Sequence, residues 1–308
     1  MQLVHAANSL AQLPGTAVTI GNFDGIHKGH QALLRHTLHV CRQEGLSSVV
    51  ITFWPHPRLV VSPQKSHCPL TSREHRLELL SSLGIEYVLE VPFTKEVAAF
   101  SPEEFVQTHL LPINPRRLII GYDFTLGRGR SGDVRVLQAL GEKWNFRVEQ
   151  LPPLLTDGAI VSSTRLRELI GQGEVRQAAR LIGRYYGFSG KVVHGDGRGS
   201  ELGFPTANLL PPETLLPGVG VYATRVRVDA AWHKAVTNVG CKPTFDGKSL
   251  TVESFLLDGA PDLYEQYIRL EFVSRLRQEK RFESIADLKR QIGNDVRDAR
   301  RILSEETF

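Results

Sequence analysis

Apolar positions along the 308 residues fall into two regimes. In the first, short apolar runs alternate with stretches of helical spacing. Thr16–Phe23 reads as a buried strand ending in a Gly- and Asp-rich turn, and His30–Glu44 follows with Leu33, Leu34, Leu38, Val40 and Cys41 at roughly helical spacing. Ser47–Phe53 is a β-branched run stopped by Pro55 and Pro57. Ser72 is placed to cap a helix running to about Leu83, Gly84 ends it, and Glu86–Val91 is a further strand. Ser101-Pro102-Glu103-Glu104 sets a proline and two acids at a helix start, where the dipole is positive. Arg116–Gly121, Val134–Leu140 and Phe146–Leu151 then read as strand, helix and strand. This alternation predicts an α/β architecture: a Rossmann-like parallel sheet with helices on both faces.

The second regime begins after Gly171. Glu174–Ile182 is a short helix, and Gly183–Gly190 is a Gly- and aromatic-rich junction. Beyond it come short strands at Ser189–Val193, Val219–Val228, His233–Val239, Leu250–Leu257 and Tyr267–Val273, separated by turn residues as in a small antiparallel barrel or sandwich. A helix from about Ser284 to Leu303 closes the chain, with Ile285, Leu288, Ile292, Val296 and Ala299 at helical spacing. Two domains are expected, residues 1–185 and 186–308. Runs such as Ser48–Phe53 and Leu118–Ile120 fall far short of the about 20 apolar residues of a membrane span. No secretory signal is visible, so a cytoplasmic location is expected.

Composition changes this picture little. Hydrophobic residues make up 41%, enough for two packed cores, and the net charge is +4. No dense Lys/Arg block occurs, so neither nucleic acid nor membrane is an expected partner. A homo-oligomer is compatible with the sequence. Cys41, Cys68 and Cys241 are odd in number and far apart, which argues against a disulfide framework or a zinc site. The charge is unevenly spread. Residues 1–185 carry 20 Lys+Arg and 16 Asp+Glu, whereas 186–308 carry 17 of each. The excess therefore lies in the first half, where it would modestly attract an anion.

Candidate chemistry concentrates in two places. The segment Gly21-Asn22-Phe23-Asp24-Gly25-Ile26-His27-Lys28-Gly29-His30 sits where the first strand hands over to the first helix. Ligands of open parallel sheets bind there, and a helix N-terminus offers free N–H groups to an anion. Gly25 and Gly29 allow close backbone approach, and the Walker pattern is missing. His27 and His30 suit donation to phosphate oxygens in nucleotidyl transfer, which needs positioning and charge stabilisation but no covalent nucleophile. An isolated His-x-x-His is more often two surface histidines, and the surrounding glycines and strand exit reverse that preference. Ser163, Thr164 and Arg167, after the last strand of the first regime, could form a second phosphate cradle or an ordinary capped helix start.

In the second half, Gly195, Gly197 and Gly199 alternate in a loop whose amides could wrap an anion, or which could be a flexible surface hairpin. Thr206 and Asn208 are two apart, so in a strand both oxygens share a face, a donor set that suits Mg²⁺ beside substrate phosphates. Glu253 is a lone acid in an apolar strand. It is either a general base for phosphoryl transfer to an alcohol or a barrel-rim residue with a partner such as Arg269.

Gly-x-Phe-Asp-Gly-x-His-x-Gly-His from Gly21 to His30, with the later Ser162-Ser163-Thr164-x-x-Arg167, resembles the flavin-adenylylating branch of the nucleotidylyltransferases. Thr52-Phe53-Trp54-Pro55-His56-Pro57 and Gly121-Tyr122-Asp123-Phe124-Thr125-Leu126-Gly127 resemble the same branch. The resemblance implies that Gly21, Asn22, Phe23, Asp24, Gly25, His27, Gly29, His30, Ser163, Thr164 and Arg167 surround ATP. It implies that Pro55, His56, Asp123 and Phe124 help to place the flavin phosphate. Gly203-Phe204-Pro205-Thr206-Ala207-Asn208, Asn238-Val239-Gly240-x-x-Pro243-Thr244-Phe245, Glu253 and Asp262-Leu263-Tyr264 resemble riboflavin kinase, a six-stranded barrel. This second resemblance implies ATP contacts at Gly190, Val192, Gly195, Gly197, Gly199, Thr206 and Asn208, with Mg²⁺ at Thr206 and Asn208. It makes Glu253 the base, and Leu263, Tyr264, Arg297 and Arg300 flavin contacts. The turn Gly259–Glu265 departs from the family pattern, in which Gly follows the Tyr. Together the halves resemble the bacterial bifunctional riboflavin kinase/FMN adenylyltransferases, with riboflavin, FMN and ATP as the implied substrates. Two other readings stand beside this one: an enzyme with one half reduced to a binding module, and a flavin- or nucleotide-binding regulator.

Overall fold

A computed structural model of the chain describes all residues except 63–67, 196–197, 245–246, 260–262 and 307–308, and omits the side chains of 198, 200, 242–244 and 247–249. Gly197, Phe245 and Asp262, singled out above, lie outside the described residues. The chain divides into two compact units: Met1–Pro69 with Arg73–Ser162, and Leu70–Ser72 with Ser163–Phe308.

The first unit is built on six strands, β1 (Gln2–Val4), β2 (Thr16–Ile20), β3 (Ser47–Trp54), β4 (Tyr87–Pro92), β5 (Pro115–Ile120) and β6 (Arg147–Gln150). They lie in the order β1-β4-β3-β2-β5-β6, and every pairing is parallel. The apolar runs are continuous because both faces of the sheet are covered. Val18, Ile20, Val49, Ile51, Leu118 and Ile120 pack on one face with Phe105, Leu110, Leu137 and Leu140. Ala17, Val50, Val88 and Ile119 pack on the other with Leu33, Leu34, Val40 and Cys41 of the helix Lys28–Glu44. Strands β3 and β4 lie on one side of β2, and β5 and β6 on the other. The direction of winding therefore switches between β2 and β5, which is where open sheets of this kind bind ligands. Ser101 caps its helix with a full capping box to Glu104.

In the second unit the helices Ser163–Gly171 and Val175–Ile182 precede a closed antiparallel barrel. After a two-residue hairpin pair, β7 (Leu155–Thr156) and β8 (Ala159–Ile160) of the first unit, the barrel strands are β9 (Tyr186–Val193), β10 (Ala207–Leu209), β11 (Gly220–Val228), β12 (Ala231–Thr244), β13 (Gly247–Leu256) and β14 (Tyr267–Arg277). They close in the order β10-β13-β12-β11-β14-β9, with β10 hydrogen-bonded to β9. Strand β9 begins at Tyr186, so most of the Gly- and aromatic-rich junction is strand. Gly187 is required there because a Cβ would overlap the Leu270 carbonyl on β14. Inside the barrel Thr224, Thr237 and Ser254 form a buried hydroxyl chain with spacings of 2.7 and 2.9 Å, so each polar group in that row is satisfied.

The last helix, Ile285–Glu305, is capped by Ser284 and packs Ala299 and Leu303 against Val221, Ala223, Val236 and Val273. Arg277 grips the buried Asp295 of this helix through two nitrogens at 2.8–3.1 Å. Ile285, expected in the apolar stripe, is instead 68% exposed. The helix meets the barrel core with residues nearer its C-terminal end, and its first turn contributes nothing to that cluster.

Candidate active sites

Three loops leave the adjacent strands β3, β2 and β5 at the carboxyl edge of the parallel sheet. They carry Trp54–His56, Gly21–His30 and Gly121–Phe124. The sheet thus brings together the first-unit residues that were 30 to 100 positions apart in sequence.

The β2 loop is tightly built. Phe23, Asp24, Ile26 and His27 are all buried. Phe23 (φ 48°) and Ile26 (φ 35°) are non-glycine residues in the left-handed region, with Gly25 between them at φ 82°. For such residues that conformation costs on the order of 1–3 kcal/mol each and persists only where the surroundings fix it. Burial of the Phe23 and Ile26 side chains supplies one such constraint. His27 caps the helix Lys28–Glu44: its Nδ1 accepts from the His30 amide at 3.2 Å. In the neutral form of the ring that bond would place the proton on Nε2. The His27 and His30 rings stack at 3.7 Å between centroids and 17° between planes, with Phe23 edge-on to His30 at 5.3 Å. Burial, and then the neighbouring His27, hold the His30 ring well below its ordinary pKa of 6.5. The His30 ring is therefore held as a neutral imidazole, and an arriving anion would favour its protonation. His30 Nδ1 and Asn22 Oδ1 are buried without a hydrogen-bond partner. Unpaired polar atoms of this kind are uncommon and mark a place where a ligand can supply the missing bond.

On the flanking loops, His56 is buried and its Nδ1 accepts from the Arg58 amide at 3.2 Å, capping the turn that starts at Pro57. Phe124 N–H closes a turn onto the Gly121 carbonyl at 3.2 Å, and Gln150 donates to the Tyr122 carbonyl at 2.9 Å. Asp123 and Phe124 are thereby held at the end of β5. Ser163, Thr164 and Arg167 begin the helix Ser163–Gly171 of the second unit, where Arg167 Nη1 donates to the Ser163 carbonyl at 3.2 Å.

The second-unit site is a row across three strands. Glu253 on β13 lies directly opposite Asn208 on β10 and directly opposite Asn238 on β12. Paired residues on adjacent strands share a face, so the carboxylate and two amides line up on one side of the sheet. The alternate positions Val252 and Ser254 are buried, while Glu253 is half-buried. Arg269, the suggested rim partner, donates to Glu271 at 3.0 Å. The glycine loop packs closely on this row. A Cβ at Gly195 would overlap the Asn208 amide, and one at Gly199 would stand 2.5 Å from the Phe204 carbonyl and 3.1 Å from Thr206 Oγ1. At Gly199 the backbone carbonyl leaves no room for a Cβ, and at Gly195 a Cβ would have to push the Asn208 amide aside. Gly190 and Val192 lie on β9, which runs into this loop. Thr206 stands just before β10, outside the strand on which a face shared with Asn208 was expected. Tyr264, half-exposed, stacks on His194 at 3.9 Å, and Leu263 is buried beneath the same turn. Arg300 is engaged by Asp258 at 2.8 Å and by the Leu257 carbonyl at 2.5 Å, and Arg297 by Asn294 at 2.8 Å. These bonds tie the last helix to itself and to the end of β13.

Two family models match the chain in succession: FAD synthetase over residues 9–165 and riboflavin kinase over residues 182–303. A relative from Escherichia coli K12, a bifunctional riboflavin kinase/FMN adenylyltransferase, is 36% identical over 304 residues, covering 97% of each chain. The chain belongs to the bifunctional riboflavin kinase/FMN adenylyltransferase family. A member from Listeria monocytogenes is 32% identical over 92% of this chain and 91% of its own. A solved Streptococcus pneumoniae chain shares the fold over 97% of this chain and 98% of its own, with a TM-score of 0.88 and 29% identity. It is described as a macrolide-efflux protein, a description that concerns that protein alone. Among the described residues no helix here is long and apolar enough to cross a membrane.

Three residues near the family's two sites carried no role in the sequence reading. Asn238 was visible only as part of a motif, and its place beside Glu253 depends on strand register. Glu90, a lone acid in the apolar run of β4, gave the same signal as Glu253. Arg76 gave none, being one charge among several on a polar helix.

Proposed function

We propose that this chain makes FAD from riboflavin in two steps, each with its own ATP and its own site. In the barrel unit riboflavin and ATP give FMN and ADP; in the sheet unit FMN and ATP give FAD and pyrophosphate. The observation that carries the reading is the row Asn208–Glu253–Asn238 under a glycine loop, in a chain whose other unit has a histidine-lined phosphate turn at a sheet switch point.

For the kinase step, Glu253 accepts the proton of the ribityl hydroxyl as its oxygen attacks the γ-phosphorus. Amides of the loop around Gly195 and Gly199 hold phosphate oxygens, and Gly190 and Val192 form its base. The hydroxyl of Thr206, the amide oxygen of Asn208 and the nearby carboxylate are hard oxygen donors against which Gly195 and Gly199 pack closely, and this set fits Mg²⁺. Bound there, Mg²⁺ would neutralise phosphate charge. Leu263 and Tyr264 are proposed to flank the flavin. For Arg297 and Arg300, whose present bonds are local, a flavin role rests on the family likeness alone.

For the adenylyl step, a phosphate oxygen of FMN attacks the α-phosphorus of ATP and pyrophosphate departs. His27, through Nε2–H, and His30 donate to phosphate oxygens as negative charge builds, and the amides at the start of the helix Lys28–Glu44 add to this. Ser163, Thr164 and Arg167 keep the nucleotide-phosphate role that the family likeness gives them. Pro55, His56, Asp123 and Phe124 are proposed to place FMN.

Incubation of the protein with riboflavin, ATP and Mg²⁺, with flavins resolved chromatographically, is expected to yield FMN and then FAD; finding neither would refute the reading. A sharper expectation concerns the loop. Gly195→Ala should lower kcat/KM for riboflavin phosphorylation on the order of ten- to a hundredfold, because the new methyl displaces Asn208. Conversion of supplied FMN to FAD should stay within a factor of about two, the scatter of independent sites.

A further inference from the structure

Behind the Gly21–His30 turn lies a buried cation that neither reaction uses directly. Arg76, on the helix Arg73–Ser82, is only 4% exposed. Its Nη1 donates to the Asn22 carbonyl at 3.1 Å, and its Nη2 to the Phe53 carbonyl at 3.4 Å and to the Glu90 carboxylate at 3.3 Å. Its guanidinium lies 5.9 Å from the ring centroid of Trp54, and its Nε has no hydrogen-bond partner. Burying a charged group is costly unless it is paired. Glu90 does not neutralise Arg76 by itself, because Arg73 already grips that carboxylate with Nε and Nη2 at 2.6–3.1 Å, and the buried Asp24 of the turn adds a second attractive carboxylate. Two of the three bonds that Arg76 makes go instead to backbone carbonyls at the ends of two ligand-facing segments. Asn22 opens the phosphate turn, and Phe53 precedes the Trp54–His56 loop.

The Asn22 carbonyl is a sensitive place to hold. The next residue, Phe23, is in the left-handed region, so the orientation of the Asn22–Phe23 peptide sets the path of the whole turn. A trans peptide directs its N–H opposite to its C=O, so fixing the carbonyl on Arg76 fixes the side on which the Phe23 N–H points. A charge-assisted bond to the carbonyl also polarises that N–H toward an acceptor.

We propose that Arg76 is a positioning residue for adenylyl transfer, clamping the phosphate turn after β2 and the loop after β3 in their working orientation through the Asn22 and Phe53 carbonyls. The proposal rests on the reading that the Gly21–His30 turn receives the ATP phosphates.

The test compares Arg76→Met with Arg73→Met in the full-length protein. Both remove a cation from Glu90, but only the first releases the two carbonyls, and because it also removes the charge beside Asp24, Arg76→Lys, which keeps that charge, is measured alongside it. Arg76→Met is expected to lower kcat/KM for ATP in adenylylation of supplied FMN about tenfold or more, as misplaced binding groups do. Arg73→Met should stay within a factor of about three of wild type, and riboflavin phosphorylation should be unchanged in both, as at distant independent sites. Equal effects of the two substitutions, or no effect of either, would overturn the proposal. Should Arg76→Met fail to fold, Arg76→Lys and Arg73→Lys decide in the same way. One ammonium cannot hold both carbonyls and the carboxylate in the guanidinium's fork geometry, so only Arg76→Lys should lower kcat/KM for ATP, and equality would overturn the proposal. Absence of adenylyl transfer in wild type would instead count against the reading on which the proposal rests.

Discussion

Glu253→Ala should abolish FMN formation from riboflavin while leaving the conversion of supplied FMN to FAD at the wild-type rate. A positioned general base contributes about 10²–10⁴-fold, so the expected loss in kcat is of that order. The geometry makes this carboxylate hard to replace. It stands opposite Asn208 and Asn238 on neighbouring strands, a position that the register of β13 gives to this residue. Glu253→Gln should lose nearly as much, because it keeps the shape and the hydrogen bonding of the row but cannot accept the proton. The barrel core should survive both changes. The residues flanking Glu253 in sequence, Val252 and Ser254, are the buried ones, and the Thr224–Thr237–Ser254 chain does not include it. Separate assays of the two half-reactions, with a thermal melt of each variant, check the expectation.

The opposite pattern is expected in the sheet unit. His27→Ala or His30→Ala should lower adenylyl transfer by about 10²–10³-fold, the usual cost of removing one preorganised donor to a developing negative charge, and should leave riboflavin phosphorylation intact. The two substitutions should differ in one respect. His27 is also the helix cap, through the bond from the His30 amide to its Nδ1, so His27→Ala should cost about 0.5–2 kcal/mol of stability as well. His27→Asn retains a capping oxygen and should recover stability without recovering activity. His30 makes no such cap, and its unpaired Nδ1 means that His30→Ala removes no hydrogen bond from that atom. Its melting temperature should therefore fall less.

Much of this arrangement was legible in the sequence, for local reasons. The run Thr16–Ile20 followed by Gly21 and Gly25 announces a strand handing over to a turn. The histidines and the Lys28–Glu44 periodicity place a helix start on the same spot. The parallel sheet follows from repeated alternation, and the barrel from short strands at regular spacing. Register was not legible. Nothing near Asn238 in sequence says that it will face Glu253, because that pairing is set by the β12–β13 ladder as a whole. Burial of Arg76 was hidden for a related reason. Its partners Asn22, Phe53 and Glu90 come from three different strands or the loops after them, and a cation on a helix of ordinary polarity reads as solvated until those strands are assembled. The left-handed conformations of Phe23 and Ile26 ran against local preference. Places where local rules fail are expected at functional sites, and these two residues lie in the turn proposed to hold the ATP phosphates.

Action of two independent sites in succession on one flavin is tested most directly by chromatography of flavins from a mixture of the folded Glu253→Ala and His30→Ala proteins with riboflavin, ATP and Mg²⁺. The expected result is that Glu253→Ala alone leaves riboflavin unchanged, that His30→Ala alone stops at FMN, and that the mixture produces FAD. Loss of both half-reactions in either folded variant, or a mixture that makes no FAD, would contradict independent action in succession.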